Sequence, residues 1–289
     1  MTKLFKIKAP AKLNLFLHVV GRRPDGYHLL QSVFQLIDLC DEISLSVRDD
    51  GVIHRANPIP GVDPLSDLST KAAQLLKEFT NCPLGAEINI DKQIPMGAGM
   101  GGGSSDAAST LLGLNHLWKT GLNLSELSTL GLKLGADVPF FLHGKNAFVE
   151  GIGENITPIQ GSKDRYLLIY PGVGIPTIEI FQDPSLTRNH PSITMMDFAA
   201  HYANSTKFSN NLQPVVVKKH KEVQLALDWL LMNISGSTPK MSGSGSTVFT
   251  PISDQFDANL ILSKLPKKWT GLVVQGLLEH PAYNLVPSL

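Results

Sequence analysis

Cysteine is scarce in this 289-residue chain, which has only Cys40 and Cys82 and no pair with the spacing of metal ligands. A disulfide-stabilised scaffold and a structural zinc site are therefore not expected. A charge excess is also missing, because 25 Lys and Arg residues balance 25 Asp and Glu residues and give a formal net charge of +0. This balance argues against nucleic acid or an anionic membrane as the partner.

Long hydrophobic runs are missing too, and no apolar run approaches the ~20 residues that a membrane-spanning helix needs. The start, from Met1 to Lys8, alternates like a strand and lacks the apolar core of a signal peptide. A reducing, cytoplasmic setting is therefore expected. Apolar residues make up 43% of the chain and charged residues 17%, which is typical of a soluble globular protein of one large or two medium domains.

Glycine, in contrast, is concentrated in one stretch between Pro95 and Ser109, where five glycines occupy positions 97 to 103. Glycine adopts backbone angles closed to other residues and lets other groups approach the main chain. A glycine loop that leads into a helix directs several backbone N–H groups and the positive end of the helix dipole at one point. The stretch therefore predicts a phosphate-binding loop followed by a helix from Ala107 to Trp118.

The sequence around the loop argues against several known types of phosphate-binding site. The spacing Gly97-x-Gly99-x-x-Gly102 matches the dinucleotide fingerprint, but the stretch from 115 to 123 holds no carboxylate for a ribose. The loop also lacks the Gly-Lys-Ser/Thr of a P-loop, and the chain lacks the His-Arg-Asp and Asp-Phe-Gly motifs of protein kinases. An NAD-binding oxidoreductase remains a weakened alternative.

Two residue pairs upstream of the loop are candidates for a site. Lys12 and Asn14 lie two positions apart on a predicted strand, so their side chains point to the same face. Lys12 taken alone is more typical of a surface lysine than of a functional residue. Tyr27 and His28 follow the turn Pro24-Asp25-Gly26, and an aromatic ring beside an imidazole suits a planar base, although both are also ordinary strand residues.

Downstream of the loop, Asp137 follows small residues and precedes Pro139, which places it at a predicted helix start. It is either the cap of that helix or a general base that takes a proton from an attacking hydroxyl, with Lys12 neutralising charge nearby. A strongly apolar strand from Tyr166 to Tyr170 is predicted to begin a second domain.

Five motifs together resemble the GHMP kinase family, and the resemblance covers nearly the whole chain in order. The motifs are Pro10-Ala-Lys-Leu-Asn14, Pro24-Asp-Gly-Tyr-His28, Pro95 to Ser105, Leu134-Gly-Ala-Asp-Val-Pro139 and Met241-Ser-Gly-Ser-Gly245. The glycine loop marks the family as a whole, and the Pro-Asp-Gly-Tyr-His turn marks members that act on a cytidine diphosphate derivative.

The resemblance implies a fold as well as an activity. The expected fold class is α/β (α+β), with residues 1–160 forming an ATP-binding domain like the second domain of ribosomal protein S5. Residues 161–289 are expected to form a ferredoxin-like α+β domain. ATP and substrate would bind in the cleft between the two domains, and the protein would be a monomer or a weak homodimer.

The implied reaction is ATP- and Mg²⁺-dependent phosphorylation of the 2-hydroxyl of 4-diphosphocytidyl-2-C-methyl-D-erythritol, a step of the non-mevalonate route to isoprenoid precursors. Asp137 matches the family's catalytic base and Lys12 its partner. Asn14, Tyr27, His28, Thr177 and Phe181 match positions that line the substrate site. The ATP phosphates would contact Pro95, Met96, Gly97, Ala98, Gly99, Met100, Gly101, Gly102, Gly103, Ser104 and Ser105.

Some alternatives remain open at this stage. Phe181 is equally typical of core packing, and Ser105 is either a Mg²⁺ ligand or a helix cap. Two positions depart from the family's pattern, because Asp67 stands where an Asn often meets adenine and Asn211 where a carboxylate is often found. Other acceptors, such as homoserine or mevalonate, and a non-catalytic nucleotide-binding protein are the rival interpretations.

Overall fold

A computed structural model describes residues 4–59, 62–64, 66–201 and 208–287 of the chain. The strands of the first half are β1 (Phe5–Arg22), β2 (His28–Arg48), β3 (Ile53–Arg55), β4 (Gly85–Asp91), β5 (Ala147–Gly151) and β6 (Asn155–Pro158). The helices of that half are α1 (Leu68–Thr80), α2 (Gly102–Trp118), α3 (Leu124–Leu134) and α4 (Val138–His143).

The second half contains the strands β7 (Arg165–Tyr170), β8 (Lys240–Met241), β9 (Val248–Ile252) and β10 (Thr270–Gln275). Its helices are α5 (Thr177–Gln182), α6 (Met195–His201), α7 (Gln213–Lys219), α8 (Lys221–Asn233) and α9 (Ala258–Leu262), followed by a 3₁₀ turn at Tyr283–Leu285. Among the described residues, no helix is long and apolar enough to cross a membrane.

Strands β1 to β6 form one sheet in the order β3-β4-β2-β5-β6, with β1 paired antiparallel to β2. The sequence predicts two strands, Phe5 to Ala9 and Leu13 to Val20, separated at Pro10. This prediction is wrong, since β1 is continuous over 18 residues. Its pairing with β2 shifts register between Pro10 and Ala11. A β-bulge leaves a residue unpaired, so the sheet tolerates a proline without an N–H there.

The helix that follows the glycine loop begins five residues before the predicted Ala107, at Gly102. Glycine has a low helix propensity, so Gly102 and Gly103 were not predicted to be helical. Tertiary contacts can override this propensity in the folded chain. Asp67 precedes an apolar helical pattern and is predicted to cap it. This is confirmed, since the Asp67 carboxylate accepts a hydrogen bond of 2.8 Å from the Thr70 N–H of α1. The sequence predicts Ser125 as the cap of the next helix, but α3 is capped by Asn123, in a reciprocal pair with Glu126.

Strands β7 to β10 form a second, antiparallel sheet in the order β10-β7-β9-β8. Counted within this half, the order is 4-1-3-2, as expected for a ferredoxin-like domain. The apolar spacing of Val223, Leu227 and Leu230 predicts one helix from Val216 to Asn233. The structure has two helices there, α7 and α8, because His220 has extended backbone angles between them.

The first sheet ends at Pro158 and the second begins at Arg165, and a domain boundary near residue 160 stays a prediction. Strand β1 nevertheless belongs to both halves. Its Leu17 and Val19 pack in one core cluster with Leu167 and Ile169 of the second sheet. The residues of β1 that precede them therefore lie where the two halves meet.

Candidate active site

A cleft of about 450 Å³ lies between the two halves of the chain and gathers most of the predicted site residues. Its wall from the first half includes Lys12, Asn14, Asp137 and the glycine loop from Pro95 to Ser104. Its wall from the second half includes Thr177, Phe181, Gly243 and Ser244. Residues that are more than 200 positions apart in sequence thus face one enclosed volume.

The glycine loop takes its shape from three alternate glycines. Gly97, Gly99 and Gly101 have φ values of 63°, 74° and 72°, in the left-handed region that favours glycine. The second half of the chain holds the loop by three hydrogen bonds to successive carbonyl groups. These are Ile175 N–H to Gly97 O (3.1 Å), Thr247 N–H to Ala98 O (3.2 Å) and Ser242 Oγ to Gly99 O (2.9 Å).

We expect Gly99→Ala to destabilise the protein and to weaken ATP binding. A Cβ at this position would lie 2.1 Å from the Ser242 carbonyl oxygen, so the loop and the Ser242 turn would have to separate. Left-handed strain and overpacking together predict a loss of about 2–4 kcal/mol in the free energy of unfolding. Denaturant unfolding and ATP titration measure the two effects.

Gly121→Ala is the matched control, because Gly121 has a φ of +71° but no atom within 4 Å of the added Cβ. It should lose only the backbone strain of about 1–2 kcal/mol and keep its ATP affinity. Equal effects of the two substitutions would contradict the close approach of loop and turn.

Lys12 extends from β1 into the floor of the cleft and is only 3% exposed. Its ammonium contacts Asn14 Oδ1, lies 3.6 Å from Asp137 Oδ2 and lies 4.6 Å from the centre of the Phe34 ring. Burial lowers the pKa of Lys12, and the nearby Asp137 carboxylate opposes that shift. A surface lysine, the alternative interpretation of Lys12, is therefore excluded by its burial.

Asp137 stands at the N-terminus of α4, but its side chain makes no capping hydrogen bond. Its own backbone is already helical, with φ −84° and ψ −12°. Pro139 occupies one of the first helical positions, where a missing N–H costs nothing. The half-buried carboxylate is thus left to face Lys12 and the cleft, and the capping alternative is wrong for this side chain.

Asn14 connects Lys12 to the second half of the chain. Its backbone N–H donates to Ser242 Oγ (3.1 Å), which itself donates to the carbonyl of Gly99 in the loop. Its side-chain amide donates to Ser32 Oγ on β2 (2.9 Å), so its Oδ1 remains directed at Lys12. The orientation of the Lys12 ammonium is therefore coupled to the Gly/Ser turn at 242–246.

Of the residues predicted to bind the base, two line the cleft and two do not. Thr177 and Phe181 of α5 line it, and Thr177 Oγ1 lies 2.7 Å from Ser244 Oγ. His28 lies against Phe181, with 5.1 Å between the ring centres. Tyr27 and His28 do not line the cleft itself, and the Tyr27 ring is 59% exposed.

A buried charge cluster beside the glycine loop was not found from the sequence. Lys92 Nζ contacts both Asp41 Oδ2 and, at 2.7 Å, Asp106 Oδ2. Asp41 also accepts hydrogen bonds from the N–H groups of Gln93 and Ile94, which lead into the loop. Burial raises the pKa of Asp106 to about 7, against the effect of Lys92.

Two oxygen atoms at the start of α2 have no hydrogen-bond partner among the described residues. They are Ser105 Oγ and Asp106 Oδ1, both buried. The described part of the chain contains no group of three His, Cys, Asp or Glu side chains that could hold a metal ion alone. Any cation here would therefore share its coordination with another ligand.

The two positions that depart from the family's pattern have structural roles. Asp67 lines the cleft, caps α1 and lies 3.7 Å from Arg55 Nε. Asn211 Oδ1 accepts a hydrogen bond of 2.9 Å from the Val19 N–H of β1. The neighbouring Asn210 donates to the carbonyls of Met241 and Gly243 and so supports the Gly/Ser turn.

Comparison with family models finds two matches in the expected order. The GHMP kinases N terminal domain matches residues 67–145, and the GHMP kinases C terminal model matches residues 195–271. The first match contains the glycine loop and Asp137, and the second contains the Ser242 turn.

Curated relatives match over almost their whole length. A 4-diphosphocytidyl-2-C-methyl-D-erythritol kinase from Polynucleobacter necessarius is 54% identical over 286 residues, which are 98% of this chain and 96% of the relative. A protein of the same name from Ralstonia nicotianae is 49% identical over 97% of this chain and 96% of its own length.

Solved structures show the same architecture. A 4-(cytidine 5'-diphospho)-2C-methyl-D-erythritol kinase superimposes with a TM-score of 0.81 at 30% identity and covers 94% of this chain and 99% of its own. A mevalonate kinase superimposes with a TM-score of 0.69 at 15% identity, covering 95% and 100%. The second likeness supports the fold alone.

Proposed function

The chain belongs to the GHMP kinase family, and we propose that it transfers the γ-phosphoryl group of ATP to the 2-hydroxyl of 4-diphosphocytidyl-2-C-methyl-D-erythritol. The observation that carries the proposal is the joint presence in one cleft of a phosphate loop and a buried Lys12–Asp137 pair. The relatives named for this activity supply the identity of the acceptor.

ATP is proposed to bind with its phosphates on residues 95–105. The loop precedes α2, whose first N–H groups carry the positive end of the helix dipole. Left-handed Gly97, Gly99 and Gly101 expose the main chain, so that a phosphate can approach it closely. A dinucleotide site is disfavoured, because this chain continues from α2 into α3 rather than into a second parallel strand.

The proposed chemistry is an in-line displacement at the γ-phosphorus. Asp137 takes the proton of the 2-hydroxyl, the hydroxyl oxygen forms the new P–O bond, and the bond to ADP breaks. Lys12 holds Asp137 in place and offsets negative charge that spreads over the transferred group. Its burial strengthens this effect, since an ion in a low-dielectric setting is poorly screened.

Magnesium is proposed to accompany ATP, and the residues present fit that role. Mg²⁺ in kinases is held by one or two protein oxygens together with the phosphates. Ser105 Oγ and Asp106 Oδ1 are unpaired oxygens at the end of the phosphate loop, and Asp106 lines the cleft. When bound there, the ion would neutralise phosphate charge, while Lys92 keeps Asp106 in position.

The acceptor is assigned to the cytidyl compound because of Phe181, which lines the cleft, and of Tyr27 and His28, which lie beside it. Phe181 and the exposed Tyr27 offer two aromatic faces, and His28 offers a hydrogen-bonding group. Homoserine and mevalonate carry no base that such groups could bind. The proposed reaction is therefore a step of isoprenoid precursor synthesis rather than of amino acid metabolism.

The deciding experiment incubates the purified chain with Mg·ATP and each of three acceptors. ADP release and a new phosphomonoester signal in the ³¹P spectrum are expected with the cytidyl acceptor alone. Turnover with homoserine or mevalonate but not with the cytidyl compound would refute the substrate assignment. ATP binding without turnover on any acceptor would favour the non-catalytic alternative.

For Tyr27→Ala we expect the KM for the cytidyl substrate to rise about tenfold, with the KM for ATP unchanged. Stacking of a base on an aromatic ring contributes about 1–3 kcal/mol by alanine substitution. Tyr27→Phe is the control, because it keeps the ring and should bind the substrate normally. An unchanged substrate KM in Tyr27→Ala would exclude stacking by this side chain.

A further inference from the structure

Arg188 joins the two chain segments that carry the predicted base-binding residues. Its Nε donates to His28 Nε2 at 2.9 Å, on the strand that follows the Pro24-Asp-Gly turn. One of its terminal nitrogens donates to the carbonyl of Phe181 at 3.0 Å, at the end of α5. Neither the sequence motifs nor the proposed reaction gives this arginine a role.

The guanidinium is held from several sides. It also donates to the carbonyls of Asp183 (2.7 Å) and Leu186 (3.0 Å), so three backbone oxygens fix its plane. The turn that supplies them is itself anchored, because Lys219 pairs with the Asp183 carboxylate at 2.6 Å and Leu186 is buried. Arg188 is thus a rigid donor rather than a mobile surface side chain.

The chemistry of the two groups fixes the state of the imidazole. A guanidinium only donates hydrogen bonds, so His28 Nε2 must accept, and the ring proton must reside on Nδ1. Burial lowers the pKa of His28, and the positive charges of Arg188 and Arg22 lower it further, in agreement with a neutral ring. Among the described residues, no acceptor is hydrogen-bonded to Nδ1, and the ring packs against Phe181, which lines the cleft.

We propose that Arg188 is a positioning residue that keeps His28 as the Nδ1–H tautomer and thereby makes the site prefer cytosine to uracil. The inference rests on the proposed function and deepens it. Cytosine presents an acceptor at N3, which the Nδ1–H donor would satisfy, whereas N3 of uracil carries a proton of its own; O2 accepts in both bases and does not discriminate. A donor facing a donor leaves a buried group unpaired, which is the strongest ground for rejecting a close analogue.

The kinetic test compares Arg188→Met with Arg165→Met. Arg165 is a matched control, since it also donates to two backbone carbonyls, those of Ser253 and Asp254, but does not line the cleft. In Arg188→Met the KM for the cytidyl substrate should rise about tenfold, while kcat and the KM for ATP stay within about twofold. The ratio of kcat/KM for the cytidyl substrate over its uridyl analogue should fall about tenfold, and Arg165→Met should leave the ratio unchanged.

The spectroscopic test reads the tautomer in the free protein. With ¹⁵N-labelled histidine, two-bond correlations distinguish a protonated Nδ1 from a protonated Nε2, and His28→Gln identifies the His28 signals among the nine histidines. The native protein should show His28 as the neutral Nδ1–H form, and Arg188→Met should show a mixture of tautomers. This test needs no turnover, so it stands even if the acceptor of the reaction is another compound.

Several outcomes would overturn the proposal. A native His28 protonated at Nε2 would contradict it directly, as would an unchanged cytidyl-to-uridyl ratio in Arg188→Met. Arg188→Lys keeps the charge but cannot reach the imidazole and three carbonyls together, so full recovery of the preference in that variant would assign the effect to charge alone. Should Arg188→Met fail to fold, Arg188→Lys and the native spectrum still decide the question. Absence of turnover on the cytidyl substrate by the native enzyme would instead refute the proposed function.

Discussion

Asp137→Asn should lower kcat by about 10²–10⁴-fold and leave the KM for ATP near its native value, if this carboxylate is the general base. Asparagine has nearly the same shape but accepts no proton at neutral pH. The carboxylate makes no capping hydrogen bond in α4, so its loss should not weaken the helix. It does leave the buried Lys12 ammonium without its carboxylate partner, so we expect the free energy of unfolding to fall by about 1–3 kcal/mol while the protein still folds.

Asp257→Asn is the appropriate control for this substitution. Asp257 also stands at a helix N-terminus, but its carboxylate does cap α9, by accepting from the Leu260 N–H. Asparagine caps as well as aspartate does, so both activity and stability should persist. Near-native turnover in Asp137→Asn would remove Asp137 from the chemical step, whereas loss of ATP binding would assign it to the nucleotide site.

Lys12→Met should be the second most damaging change, with kcat reduced about 10²–10³-fold, the range found when one donor that stabilises developing charge is removed. Methionine fills the same buried space beside Phe34 but leaves Asp137 and the transferred phosphoryl group without their cation. Single-turnover kinetics should locate the loss in the chemical step rather than in binding.

Lys240→Met controls for the removal of a buried lysine as such. Burial lowers the pKa of Lys240 to about 8, so its charge is also partly desolvated, but it does not line the cleft. We expect its kcat to stay within about twofold of native. If kcat falls equally in the two lysine variants, the effect of Lys12 is structural, and its pairing with Asp137 does not contribute to catalysis.

The sequence predicted those site residues whose role can be recognised from their immediate neighbours in the chain. The glycine loop was recognisable because left-handed backbone angles restrict positions 97, 99 and 101 to one residue type. Asp137 was recognisable because small residues precede it and a proline follows it. The ferredoxin-like sheet was predicted through the resemblance, since four short strands with irregular connections leave little periodic signal of their own.

The parts that escaped prediction depend on contacts between distant segments. Asp41, Lys92 and Asp106 look like three ordinary charged residues until β2, the β4 exit and α2 come together. Arg188 lies in a polar stretch without periodicity, and its importance depends on a partner 160 positions earlier. The continuity of β1 was also not predicted. A proline indicates a strand interruption, and the register shift in the pairing with β2 that accommodates Pro10 is not visible in the sequence.

The three hydrogen bonds from Ile175, Ser242 and Thr247 to the glycine loop bear on how this enzyme can be divided or recombined. A gene fragment that ends near residue 160 would encode every residue of the loop but none of the donors that hold its carbonyls. Such a fragment should bind ATP poorly even if it folds, and co-expression of the remaining fragment should restore binding. Likewise, a chimera that takes its first half from another family member inherits a working loop only if the 242–247 turn is exchanged with it.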